Sequence, residues 1–93
     1  MSNKNLQSIY EQAKQYQLVG DDLNAEVNFL FLFKNNFNNE YILRELVQLY
    51  LQTRQFKKAI SKLNILVEMH PYDIYHYSNL VNVLLGVGKT GKA

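Results

Sequence analysis

Apolar residues recur at helical spacing along most of the chain. One stripe in the middle of the chain consists of Leu43, Leu46, Val47 and Tyr50. Such spacing, in steps of three and four residues, is typical of one face of an amphipathic α-helix. A second stripe of the same kind covers residues 56–67. Because no segment alternates convincingly between apolar and polar residues at period two, the pattern predicts an all-α chain.

Short polar breaks divide the stripes, at residues 20–22, 35–39, 53–54 and 71–73. Asp22, Asn39 and Asp73 are predicted N-caps, since a short side-chain oxygen can accept a hydrogen bond from a free amide of the first turn. Pro71 cannot continue a helix and disfavours helix at the residue before it. The breaks therefore predict five helices, at about residues 5–19, 22–36, 40–53, 56–69 and 74–87.

The same pattern returns at a fixed interval. Ala25, Ala59 and Ala93 stand 34 residues apart, a period typical of helix–turn–helix arrays. Equivalent positions hold similar residues: Ile9, Leu43 and Tyr77; Ala13, Val47 and Val81; Tyr16, Tyr50 and Leu84; and, in the turn, Gly20, Arg54 and Gly88. Because a methyl group permits close backbone approach, the alanine position predicts where the two helices of each hairpin cross.

These positions resemble the tetratricopeptide repeat (TPR), a motif of two antiparallel helices. The second repeat is the most similar, with matches at Leu43, Leu46, Val47, Tyr50, Phe56, Ala59, Leu63, Leu66 and Pro71. The resemblance implies one domain over residues 1–93, folded as a TPR-like right-handed superhelix of antiparallel helical hairpins. It would contain two full repeats, residues 6–39 and 40–73, and the first helix of a third, in residues 74–93.

In TPR arrays the first helix of each repeat lines a concave groove. The resemblance therefore implies a non-enzymatic protein–protein interaction module that binds a peptide or helix of a partner protein. Carried onto this chain, the partner-binding groove would contain Tyr10, Lys14, Tyr41, Arg44, Gln48, Tyr75, Asn79 and Asn82. Tyrosine rings offer contact area, while amides and an arginine can hydrogen-bond to a peptide backbone or to carboxylates.

Two apolar segments have no obvious place in the hairpins. Residues 29–33 are apolar all the way round a helix, which leaves Leu30 and Phe31 facing away from the inner side. Leu84 and Leu85 belong to a third repeat that lacks its second helix. Exposed apolar patches mark contacts with other molecules. Local packing by the N-terminal segment is the alternative for Leu30 and Phe31.

These patches leave other functions open. A TPR-like chaperone or assembly subunit, for example of a bacterial secretion system, would shield an aggregation-prone partner in this way. A homodimer through the apolar patches is a second alternative, and an N-terminal adaptor domain of a longer protein is a third. Because solenoids normally end in a polar cap, we expect the chain to be a truncated piece of a longer array, or its end to be covered by a partner or a second copy.

Composition and charge narrow the class of partner. The net charge of +2 is too small an excess to predict nucleic-acid binding, which needs clustered cations. The longest apolar run, residues 29–33, is too short to cross a membrane, and the polar start predicts no signal peptide. The absence of cysteine excludes disulfides and thiolate metal sites and favours a cytoplasmic protein.

Motifs for catalysis are weak. Residues 86–90 resemble the end of a phosphate-binding P-loop, but that pattern requires a glycine where this chain has Val83. His70 and His76 flank the turn at Pro71, and we interpret them as a surface cluster facing the turn, not as a zinc site. No nucleophile–base pair or carboxylate pair stands at a usable spacing. We therefore predict no enzyme, no cofactor and no metal.

Overall fold

Five helices make up the part of the chain that the computed structural model describes, residues 3–90, with side chains described for residues 5–86. The helices are α1 (Asn3–Leu18), α2 (Asp22–Lys34), α3 (Asn39–Gln52), α4 (Phe56–Met69) and α5 (Ile74–Thr90). No strand occurs within residues 3–90. The all-α prediction is confirmed, and most of the helix ends lie within a residue or two of the predicted ones.

The caps of α2 and α3 differ from the prediction by one residue. Asp21 caps α2, because its side chain accepts a hydrogen bond from the Asn24 amide at 3.3 Å. The predicted cap, Asp22, is the first residue of the helix. Asn39 likewise begins α3, and Asn38 precedes it in a left-handed conformation with φ +46°. Neighbouring polar residues of one type compete for the cap, and sequence alone does not choose between them.

The cap of α5 is the predicted one. The Asp73 carboxylate accepts a hydrogen bond from the Tyr75 amide at 2.9 Å. Pro71 lies in the turn between α4 and α5, where the missing amide hydrogen costs no helical bond. The start of α5 is therefore determined by the local sequence at Pro71 and Asp73.

The predicted turn position has a turn in the first two repeats and helix in the third. Gly20 and Arg54 both have positive φ, +79° and +60°, so the chain reverses at the same place in the first two repeats. The third member of the series does not turn, since α5 runs through Gly88 to Thr90. At Gly20 and Arg54 the chain leads into a helix that packs back on the one before. A glycine permits such a turn but does not impose it.

Each helix packs on its neighbours in sequence, α1 on α2, α2 on α3, α3 on α4 and α4 on α5. The predicted crossing residues Ala25 and Ala59 are completely buried. Opposite sides of α3 enter different parts of the core: Ile42 and Leu46 join residues of α1 and α2, whereas Leu43 joins residues of α4 and α5. The core is therefore continuous along the array, with α3 at its centre.

One polar contact joins three helices. The Tyr50 hydroxyl of α3 donates to a Glu26 carboxylate oxygen of α2 at 2.7 Å. The Lys58 ammonium of α4 lies 3.3 Å from the same oxygen. Burial, and next the hydrogen bond to Glu26, raise the pKa of the Tyr50 phenol, because both favour its neutral form. This contact ties the two hairpins together.

Candidate functional site

Two tyrosines of the predicted groove connect α1 and α3. The Tyr10 hydroxyl donates to the Tyr41 hydroxyl at 3.0 Å, and the rings meet edge to face with centroids 5.8 Å apart. Burial, and next the hydrogen bond to Tyr41, raise the pKa of Tyr10. Together with Gln7, the pair lines a cavity of about 270 Å³. This cavity joins the first and second repeats.

Lys14 is not a free cation. Its ammonium lies 2.6 Å from a Glu45 carboxylate oxygen of α3, and the Glu45 side chain is mostly buried. Removing one partner of such a pair leaves the other uncompensated. Lys14 therefore links α1 to α3, and its charge is already paired with that of Glu45.

Arg44 belongs to a short polar network. Its guanidinium donates to Glu40 at 2.7 Å, and the other oxygen of Glu40 lies 2.7 Å from His70 Nε2. Glu40, Tyr41 and Arg44 line an open cavity of about 470 Å³ at the start of α3, with Asn38 beside them. Both partners of the Arg44–Glu40 pair are partly exposed, so the guanidinium remains accessible to a ligand.

A third, smaller cavity of about 120 Å³ separates α3 from α5. Four of the predicted groove residues line it: Arg44, Gln48, Tyr75 and Asn79. The rest of the lining comes from Val47, Leu63, Leu66 and His76. The walls are thus polar at the rim and apolar beneath it.

The three cavities share lining residues. Tyr41 borders both the first and the second, and Arg44 borders both the second and the third. Six of the eight predicted groove residues are therefore brought together along one band that crosses α1, α3 and α5. Lys14 lies beside this band in its pair with Glu45, and Asn82, which is exposed on α5, lines none of these cavities.

His76 is a site residue that sequence reasoning missed. The interpretation of His76 as a surface residue was wrong, because its side chain is completely buried. A signal was available: the equivalent position in the second repeat is Ile42, which is also completely buried. A histidine at a position where the repeat buries an isoleucine is unusual, and that substitution could have identified it.

The two predicted apolar patches differ in how exposed their side chains are. Leu30 is half-buried and packs against the core formed with α1 and α2, while Phe31 is 37% exposed. Leu84 and Leu85 of α5 are exposed at 49% and 58%. The alternative of local packing thus describes Leu30 better, whereas the surface of α5 is an open apolar face.

Three further observations bear on the class of protein. Within the described residues, no group of three or more histidine, aspartate or glutamate side chains could hold a metal ion. In the same part of the chain, no helix has both the length and the apolar character needed to cross a membrane. Residues 86–90 are helical, so their amides do not form the loop with which a P-loop surrounds phosphate.

Known proteins give no further guidance on the family. No family model matches the chain, and neither a curated protein nor a solved structure matches it. The geometry of the linked cavities is therefore the ground on which a function can be inferred.

Proposed function

We propose that this chain is a non-enzymatic protein–protein interaction module that holds a peptide or helix of a partner along the band formed by α1, α3 and α5. The TPR-like right-handed superhelix is part of this proposal. It is supported by the 34-residue interval, by helices that each pack on their neighbours in sequence, and by the positive φ angles of Gly20 and Arg54 at equivalent turns.

One observation carries the proposal. Residues far apart in sequence, from the first helix of each repeat, line cavities that are joined through Tyr41 and Arg44. A set of cavities in a row suits an extended ligand, whereas a compact metabolite would need one enclosed site. The shared lining residues therefore favour an extended polypeptide as the ligand.

The side chains of the band also fit a polypeptide. Tyr41 and Tyr75 expose half or more of their surface, and tyrosine and arginine are among the residues enriched where protein–protein binding energy is concentrated. Gln48 and Asn79 each offer a donor and an acceptor for a peptide backbone. The Arg44–Glu40 pair offers both charges at the rim.

Affinity capture followed by mass spectrometry would identify the partner, and the purified pair would then be titrated. We expect Tyr41→Ala together with Arg44→Ala to weaken binding by at least about tenfold, since such anchors contribute a kcal/mol or more each. Helicity measured by circular dichroism should stay the same, because both side chains are exposed. Lys57→Ala, at an exposed position of α4, is the matched control.

A second candidate function is a chaperone or assembly subunit that shields an apolar partner. The open face of α5, with Val81, Leu84 and Leu85 exposed, favours it. In that case Leu84→Asp or Phe31→Asp would abolish partner binding, and the Tyr41→Ala, Arg44→Ala double variant would bind as well as the wild type. That pair of results would contradict the groove proposal.

A further inference from the structure

The cavity between α3 and α5 contains a histidine that the fold does not require. His76 is completely buried at a position where the second repeat buries Ile42. Neither of its ring nitrogens has a hydrogen-bond partner among the described residues. Buried polar groups in native proteins are nearly always hydrogen-bonded, so an exception calls for an explanation.

The neighbours of His76 do not supply the missing bond. Asp73 approaches Nε2 to 3.4 Å, without forming a hydrogen bond. The rings of His70 and Tyr75 pack at centroid distances of 6.0 and 5.8 Å. Because a neutral imidazole has one donor and one acceptor nitrogen, His76 can serve a group that enters the cavity and offers either.

The cavity is the smallest of the three and has room for a side chain. Its volume of about 120 Å³ is several times what one water molecule needs. Val47, Leu63 and Leu66 form its apolar part, and the amides of Gln48 and Asn79 stand at its rim. A four-carbon side chain would be covered by the apolar part while the atoms next to it meet the amides.

The charges around the cavity disfavour an anion. Arg44, the one cation in the lining, is bonded to Glu40, and Asp73 adds a second carboxylate beside His76. A carboxylate ligand beside His76 would be repelled by Asp73, since like charges repel. A cationic head group would lose its hydration against the apolar walls. A neutral ligand avoids both costs.

We propose that this cavity is a subsite for a neutral leucine-like or isoleucine-like residue of a partner polypeptide. The side chain of that residue packs on Val47, Leu63 and Leu66, and its main-chain amide hydrogen-bonds to His76. Gln48 and Asn79 bond to the adjoining peptide groups. This inference rests on the proposed function and names the residue class that the third cavity selects.

Small capped amino acids can test the subsite directly by nuclear magnetic resonance. The probes are N-acetyl-leucine N-methylamide, N-acetyl-leucine with its free carboxylate, and N-acetyl-lysine N-methylamide, each titrated into the ¹⁵N-labelled protein. We expect the neutral leucine probe to bind with a dissociation constant in the millimolar range, which is typical of so small a ligand. It should shift the His76 ring nitrogens and the side-chain amides of Gln48 and Asn79. Tighter binding by the carboxylate or the lysine probe would overturn the assignment.

His76→Phe separates a ligand-binding histidine from a structural one. The ring is kept and its unpaired nitrogens are removed, so the variant should melt at a higher temperature than the wild type and bind the leucine probe about fivefold more weakly. Unchanged binding would show that the nitrogens are not used. Asn79→Ala should also weaken binding of the leucine probe, and it replaces His76→Phe as the test if that variant is poorly folded. Asn82→Ala changes a residue outside the cavity and should bind the probe as the wild type does.

The two proposals fail in different ways. If the leucine probe leaves His76 unshifted while the captured partner still depends on Tyr41 and Arg44, the subsite is wrong and the groove stands. If the partner depends on Leu84 and Phe31 and the probe still binds at His76, the groove is wrong, although the cavity still binds a leucine-like side chain.

Discussion

Helices α3 and α5 carry equivalent residues in different surroundings. Leu43, Val47 and Tyr50 of α3 are at most 6% exposed. The equivalent residues of α5, which are 34 positions later in the chain, are between 41% and 52% exposed. The difference lies in the neighbours. The backbone of α3 lies close to those of α2 and α4, whereas within the described residues the backbone of α5 lies close to that of α4 alone. An apolar stripe thus marks a face that can be buried, and a second helix decides whether it is.

The same comparison explains the two kinds of cavity lining. Between α1 and α3 the side chains satisfy one another, as Tyr10 does with Tyr41 and Lys14 with Glu45. Between α3 and α5 the buried His76 has no hydrogen-bond partner among the described residues. The interface with α5 is therefore the less complete of the two, and it is there that we place the subsite for a ligand side chain.

The largest expected effect comes from truncating the leucine that occupies equivalent positions in α3 and α5. Leu46 is completely buried in α3, and its equivalent, Leu80 of α5, is half-buried beside the second core cluster. We expect Leu46→Ala to lower the free energy of unfolding by about 2–5 kcal/mol, and Leu80→Ala by about half of that or less. Denaturant titration followed by circular dichroism measures both. Equal losses would show that α5 is as fully packed as α3.

An intermediate effect is expected at the polar contact that joins the hairpins. Tyr50→Phe removes the hydrogen bond to Glu26 and should cost about 1–2 kcal/mol. Tyr16→Phe, at the equivalent position of the first repeat and half-buried, is the matched control and should cost less.

The same tyrosine predicts a dependence on alkaline pH. Because its pKa is raised in the folded protein, the unfolded chain loses this proton first, at a pH near 10. The contribution to stability is therefore complete below pH 10 and is lost as the pH rises further. Thermal melts from pH 8 to 11 should show a steeper loss for the wild type than for Tyr50→Phe. Parallel curves for the two proteins would contradict this account.

The smallest expected effects have opposite signs at two glycines. Gly20 has a φ of +79°, which an alanine adopts at a cost of about 1 kcal/mol. Gly86 lies inside α5, and nothing stands within 4 Å of an added Cβ there, so Gly86→Ala should stabilise by roughly 0.5–1 kcal/mol. Melting temperatures of the two variants should fall on either side of the wild type. A drop on Gly86→Ala would mean that α5 needs a break at this place.

The helices and their order were predictable because they depend on local chemistry. Stripes at helical spacing and polar breaks predicted all five. The interval of 34 residues singled out Ala25 and Ala59, which are completely buried. The predictions differed from the structure where two neighbouring residues compete for one cap, or where a residue can adopt either a turn or a helix. Asp21 caps α2 in place of Asp22, and α5 continues through Gly88, because a residue that permits a turn does not force one.

The candidate site was predictable only in part. The TPR resemblance selected Tyr10, Tyr41, Arg44, Gln48, Tyr75 and Asn79, and the structure brings these six onto one band. It could not foresee that Lys14 is paired with Glu45. Such pairings depend on how one helix is placed beside another, over a separation of 31 residues. Spacing along a single helix carries no information about that placement.

By itself, the sequence determined the number of helices, the faces that can be buried and the interval at which they recur. These follow from the propensity and polarity of residues close together in the chain. Only the tertiary structure decided which apolar faces are covered and which cavities join. It also decided that His76 is enclosed with no hydrogen-bond partner among the described residues. Burial and pairing are decided by neighbours that the chain brings together from a distance, so the same apolar stripe is core in α3 and surface in α5.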